Sequence, residues 1–240
     1  MSWQERIDAA RQVGIDALKP TVAELEHGLE LHRESLVCES YSLGLLAPID
    51  GAAVARAVEV GISDAELQVL TESMRMTRWA ADDGLHAEYL SAWEASGVDC
   101  AFQNAGEEGS HPIRMLGRLA HYTYLTDHMR DDVSRAAFPE DIVAARAAGR
   151  HCLVQTCNGV PLVGEQLTAE AELRLLRLFF NLGCRMMHLT YNRRNVIGDG
   201  CAEPGNAGLS DFGHMAVAEL NRLGIIIDVA HSGWQTSLDT

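Results

Sequence analysis

Apolar positions along this chain recur in two alternating patterns: a spacing of three and four residues that marks amphipathic helices, and short continuous runs that mark buried strands. Together they form a unit of helix, glycine, apolar strand and polar tip, visible four times. Gly97 precedes residues 98–102, Gly149 precedes 152–154, Gly183 precedes 186–189, and Gly224 precedes 225–229. A glycine at each of these points stops a helix in the left-handed conformation. An earlier strand over 36–43 follows a helical stretch over 21–33. The last helix shows the pattern in full: Ser210 caps its start, and Phe212, Met215, Ala216, Leu220 and Leu223 share one face. The helix before it, opened by Thr168, aligns Leu173, Leu176, Phe179 and Phe180 in the same way.

Helix and buried strand alternating every few tens of residues predict an α/β fold with parallel strands, a TIM-like (β/α) barrel in a single domain over 1–240. About five of the eight β/α units that close such a barrel are present. Three arrangements satisfy the shortfall: a truncated chain, a second chain or homodimer that completes the barrel, or a sheet left with an open edge. A helical insertion over about 51–95 separates the first two strands. Its Trp79, Tyr89 and Trp93 suggest a partly buried cap or an interface.

Composition narrows the partners. Nineteen Lys and Arg against 34 Asp and Glu leave a formal charge of -15, which repels phosphate backbones and anionic lipid surfaces. Neither nucleic acid nor a membrane is expected. Residues 1–20 mix charges with alanines and hold no apolar core suited to a signal peptide or span, which predicts a cytoplasmic location. The six cysteines lack CxxC pairing, and several lie in apolar runs where a thiol acts as a small hydrophobe.

The working residues of a β/α barrel project from the C-terminal ends of its strands. Here those ends are polar throughout: Glu39, Ser40 and Ser42, then Gln103 and Asn104, then Gln155, Thr156 and Asn158, then Thr190, Tyr191 and Asn192, and finally Asp228, His231 and Ser232. One polar tip is ordinary, but five in series suggest a binding face. His231, directly after an apolar run, is the best candidate for a metal ligand or general base, although a lone histidine after a strand is more often a hydrogen-bonded structural group. Asp228 lies inside its strand and needs a ring or backbone donor as partner. The loop from Tyr191 to Cys201, with Asn192, Arg193, Arg194 and Asn195, is either a cradle for a substrate carboxylate or an ordinary loop with two solvated arginines. His111, His121, His128 and His188 are weaker signals, and no HxH, HExxH, GxSxG, phosphate-loop or dinucleotide motif is present.

The C-terminal third carries an ordered run of matches: Gly183-Cys184-Arg185, Leu189-Thr190-Tyr191-Asn192, Asn195, Gly198-Asp199-Gly200-Cys201, Gly208-Leu209-Ser210, Phe212-Gly213, and Glu219 to Gly224 leading to Ile227-Asp228-Val229-Ala230-His231. In these the chain resembles the membrane dipeptidase (renal dipeptidase) family of zinc metallopeptidases, bacterial branch, with weaker similarity over 31–42 and 149–158. The resemblance implies a β/α barrel with two zinc ions bridged by a carboxylate, a metal-activated water, and hydrolysis of dipeptides or a related small amide compound. It implies that His231 binds metal, that Gln155 stands near the bridging glutamate, and that Tyr191 takes the place of a histidine that contacts substrate, with Asn192 and Asn195 beside it. Where the family has a first-strand His-x-Asp pair, this chain has Tyr41 and Leu43, or Ser40 and Ser42, with Glu39 a weak carboxylate candidate nearby. The family's further histidine, its substrate-binding arginine and its catalytic aspartate would fall beyond Thr240. The expected zinc site is degenerate, which leaves a second reading: a non-catalytic relative that binds a small ligand or a partner.

Overall fold

The computed structural model describes residues 2–42, 46–105, 111–163 and 168–240. Leu43, one of the first-strand positions singled out above, lies outside them. In chain order the described residues form α1 (Trp3–Leu18), α2 (Val22–Glu34), β1 (Cys38–Ser42), α3 (Gly51–Glu59), α4 (Asp64–Ala81), α5 (Asp83–Ser96), β2 (Cys100–Asn104), α6 (Pro112–His128) and β3 (Val133–Ala136). There follow α7 (Pro139–Ala147), β4 (His151–Cys157), α8 (Ala169–Asn181), β5 (Cys184–His188), α9 (Asp211–Leu223), β6 (Ile226–Asp228) and α10 (Trp234–Asp239). Helix starts are written locally. Ser2, Thr21 and Ser63 each accept a hydrogen bond from the backbone three residues on, while Glu5, Glu24 and Glu66 reach back, closing capping boxes.

Every strand pairing is parallel, and the sheet is an open segment of a β/α barrel with the order β1-β2-β4-β5-β6. Six strands are present among the described residues rather than the five expected. The extra one, β3, lies against β4. One edge of β4 pairs with β2 over Cys152 to Thr156, and its other edge is divided: β3 takes His151 to Val154, and β5 takes Gln155 to Cys157.

Alternate residues face opposite sides of the sheet. Ala101, Leu153, Cys157, Cys184, Met187 and Leu189 share the main core with α6, α8 and α9, whose Met115, Leu119, Leu176, Phe179 and Leu220 are almost fully buried. Burial of this kind contributes roughly 25 cal/mol per Å² of apolar surface and is the main source of the fold's stability. The aromatic residues of the 51–95 segment join this layer: Trp79, Tyr89 and Trp93 are buried, and neighbouring ring centres stand 5.0 Å and 5.5 Å apart. Cys100, Ala136, Cys152 and Val154 turn the other way and meet Ala145 and Ile142 of α7. Gly97, at φ +67°, ends α5, and a Cβ there would lie 2.5 Å from the His32 ring, so both the turn and the packing exclude a side chain.

Candidate functional site at the strand tips

The face that carries Cys100, Cys152 and Val154 ends, at the C-terminal strand tips, in a lateral row of polar side chains. The register sets the row. Asn104 pairs with Thr156, and His188 pairs with Asp228. One step past the pair of Cys157 with Met187, Asn158 comes level with His188. Tyr41 of β1 extends the row, because the Asn104 amide donates to its hydroxyl at 3.2 Å.

Two layers make up the site. In the inner one, the 2%-exposed His188 has Nε2 at 2.7 Å from Asp228 Oδ2. At this distance a proton on Nε2 is donated to the carboxylate, while the other ring nitrogen, Nδ1, finds no hydrogen-bonding partner among the described residues. Asp228 Oδ1 accepts from the Ala230 amide at 2.8 Å, so this carboxylate has the partner that its place in a strand required. His188 beside it, opposed by burial, holds the Asp228 carboxyl below the ordinary carboxylate range. The Tyr41 ring lies 5.4 Å from His188, and burial, helped by Tyr191 and Asp228, pushes its hydroxyl pKa up.

The outer layer is a stack. The Tyr191 and His231 rings lie 4.1 Å apart at 20°, and His231 stands 5.9 Å from His188. His231 Nδ1 lies 2.8 Å from Asn192 Oδ1. An amide oxygen only accepts, so Nδ1 carries the proton and Nε2 is left as the basic nitrogen. Both residues adopt left-handed backbone angles, φ 59° at Asn192 and 63° at His231. Few residues with a side chain adopt this conformation, asparagine and histidine more often than most, and such backbone clusters at functional positions. Packing enforces it: the Cys201 amide donates to the His231 carbonyl at 2.9 Å and the Ala202 amide to the Asn192 carbonyl at 2.8 Å. Gly200 passes so close to Asn192 that an added Cβ would fall 2.2 Å from its carbonyl carbon.

The structure thus joins Tyr191, Asn192 and His231 and separates the other sequence candidates from them. Asn195 is engaged in its own loop: its amide donates to the Leu189 carbonyl, and its oxygen accepts from the Ile197 and Gly198 amides. Arg194 is held by Asp199 at 2.6 Å. Gln155 pairs in register with Gln103, whose amide donates to Tyr122 of α6 at 2.8 Å, so both glutamines face the helix layer and not the row. Glu39 pairs with Ala101 on that same side and lines a cavity of about 220 Å³ with Tyr89, Trp93 and Gln103. His188, rated weak from sequence, is central. The signal for it was Asp228, which needed a donor at the same level of the neighbouring strand.

Among the described residues, no group of three or more His, Cys, Asp or Glu side chains is arranged to hold a metal ion. The donor chemistry agrees: Tyr41, Asn104, Thr156 and Asn158 are neutral, and Asp228 is already engaged by His188. These residues do not fit the dinuclear zinc centre that the resemblance implied.

Parallel β/α units with a polar rim at their C-terminal ends define a β/α-barrel protein. Residues 63–240 match the model of the membrane dipeptidase family (peptidase family M19), and the chain belongs to that family. It is 41% identical over 64 residues to dipeptidase aclJ of Aspergillus oryzae, a stretch covering 26% of this chain and 15% of that protein. The fold is similar to that of the probable dipeptidase PvdM from Pseudomonas aeruginosa, with a TM-score of 0.62 and 21% identity over 88% of this chain and 50% of that one. It is also similar to a metallopeptidase from Rhodobacter sphaeroides solved with a phosphinate mimic of the dipeptide L-Ala-D-Ala, with a TM-score of 0.50 and 19% identity over 60% of this chain and 49% of that one. The chain spans about half the length of these solved relatives. No helix among the described residues is long and apolar enough to cross a membrane.

Proposed function

We propose that the chain acts as a dipeptidase-type hydrolase on dipeptides or a related small amide compound, with the ligand placed on the strand-tip rim beside His231. The supporting observation is the stack of Tyr191 on His231, with Asn192 fixing the ring so that Nε2 is the basic nitrogen. In amide hydrolysis water adds to the carbonyl carbon, the C–N bond breaks, and a proton passes to the departing amine. Nε2 of His231 is suited to take the proton from the attacking water and return it to the amine. The Tyr191 ring holds the imidazole plane from one side. Zinc, which the family implies, is part of the proposal only as an addition to be tested, because the described residues do not supply a centre for it.

The test is hydrolysis of a panel of dipeptides, with and without added zinc, by the parent and by His231→Ala. Turnover by the parent that drops at least about a hundredfold in the variant supports the reading, since positioned proton transfer contributes about 10²–10⁴. Inactivity of both under all conditions assigns the chain to the second reading, a family member that binds a small ligand or a partner without turnover. A second copy covering the open sheet edges belongs to the same proposal. It is supported by the exposure of Ile226 and Val229 on β6 and just after it, and of Trp234 and Leu238 on α10, and a monomeric sedimentation profile refutes it.

A further inference from the structure

A buried polar atom without a hydrogen bond is costly, at about 1–3 kcal/mol, so folded proteins seldom keep one without a use. Three such groups fall within one stretch of the strand-tip row. Thr156 Oγ1, Asn158 Oδ1 and Nδ1 of His188 have no hydrogen-bonding partner among the described residues, on side chains that are 1%, 5% and 2% exposed. Asn158 and His188 directly follow Cys157 and Met187, the last pair of β4 with β5, and the register places Thr156 between Asn104 and Met186 on neighbouring strands.

The three groups are chemically matched to one another. A hydroxyl donates or accepts, an amide oxygen accepts, and with the Nε2 proton of His188 turned to Asp228 its Nδ1 accepts. Thr156 and Asn158 are neutral, and the Asp228 carboxylate is already engaged by His188 and the Ala230 amide. An ionised carboxylate, phosphate or ammonium placed against Thr156 and Asn158 would find no countercharge in them, whereas a peptide unit brings one N–H and one C=O and satisfies an acceptor and a donor at once. Resting on the reading that the rim receives the ligand, we infer that Thr156, Asn158 and His188 form a recognition strip for an uncharged amide group, contacting the peptide unit of the ligand directly.

Gln155 supplies an internal control. Its side-chain nitrogen and oxygen are equally unpartnered and 1% exposed, but it faces the helix layer on the opposite side of the sheet. Replacing either residue by an apolar one of similar shape removes an unsatisfied group and raises the melting temperature of the free protein. Only the residue that meets the ligand costs affinity when it is replaced.

The experiment uses the full chain in the presence of EDTA and measures two quantities. Titration calorimetry with L-Ala-D-Ala, and with its ester analogue in which oxygen replaces the peptide N–H, reads affinity; differential scanning fluorimetry reads stability. The parent binds the dipeptide at least about tenfold more tightly than the ester. Thr156→Val melts higher than the parent and loses about tenfold or more in affinity, and Thr156→Ser restores it. Gln155→Met melts higher with affinity unchanged. Asn158→Leu repeats the loss, so the strip is tested even where Thr156→Val does not fold. Absence of saturable binding by the parent, equal affinity for dipeptide and ester, binding that requires added zinc, or unchanged affinity in both Thr156→Val and Asn158→Leu overturns the inference. Hydrolysis is measured separately: a protein that binds in this pattern without turnover refutes the hydrolase reading and leaves the strip standing.

Discussion

Replacing Asp228 by Asn is the sharpest probe of the inner layer, because it removes a charge and changes little else. The amide keeps an oxygen that can accept from the Ala230 backbone, so the turn after β6 is retained. The variant loses the ionic partner of His188, which is 2% exposed and lies 2.7 Å from the carboxylate. A hydrogen bond to a charged partner contributes about 1.5–3 kcal/mol, and the 22% exposure of the Asp228 side chain places this one at the lower end, about 1.5–2 kcal/mol. For a domain of this size each kcal/mol moves the melting temperature by about 2–4 °C, so a fall of roughly 3–8 °C is expected near neutral pH. The direction with pH follows from the lowered pKa. A carboxylate whose folded pKa lies below the ordinary 3.8 adds stability that is present above that value and is lost as the pH falls through the folded pKa. Thermal melts of parent and variant over a descending pH series should therefore converge in acid. Equal melting temperatures at neutral pH, or a gap of constant size down to the acid limit, would refute the pairing as a source of stability.

Three further outcomes follow from other contacts. Glu219, buried between Arg177 at 2.6 Å and Arg222 at 2.7 Å, is held at a pKa of about 2 mainly by Arg222, then by Arg177. Glu219→Gln should cost about 1–2 kcal/mol in urea denaturation above pH 4.5, the larger value being discounted because both arginines reach solvent, and this cost should fade as the pH approaches 2. Gly200→Ala forces a Cβ onto the Asn192 backbone and should destabilise by about 1–3 kcal/mol while shifting the His231 ring resonances in proton NMR; unchanged resonances would show that the loop does not set the stack. Phe179→Ala opens a cavity in the fully buried layer between α8 and the sheet and should cost about 3–5 kcal/mol by chemical denaturation.

The repeated glycine-and-strand unit made most of the fold legible, because parallel strands buried on both faces read as apolar runs. β3 escaped notice for a physical reason. Its four residues include Ser134 and Arg135, which are not buried, and the turn before it, from Met129 to Asp132, has no glycine. At the candidate site, His231, Tyr191 and Asn192, which the structure brings together, follow apolar strands and lie in the region of family resemblance. Gln155 and Glu39 were misplaced by the period of two. Neighbouring residues of a strand face opposite sides, so a shift of one residue moves a side chain from the rim to the helix layer. Thr156, not Gln155, is the member of β4 that joins the row. His188 lacked any motif spacing, and only register, which no single segment encodes, brought it level with Asp228.

The divided edge of β4 sets how the two halves of the rim are held together. Tyr41 and Asn104 belong to the β1–β2 half, and His188 and Asp228 to the β5–β6 half. Among the described residues, the sheet joins these halves through a splice of three residues, Gln155 to Cys157, against β5. Alignment across the rim therefore depends on a segment shorter than one helical turn, and loosening it would leave two intact half-sheets whose polar tips no longer line up.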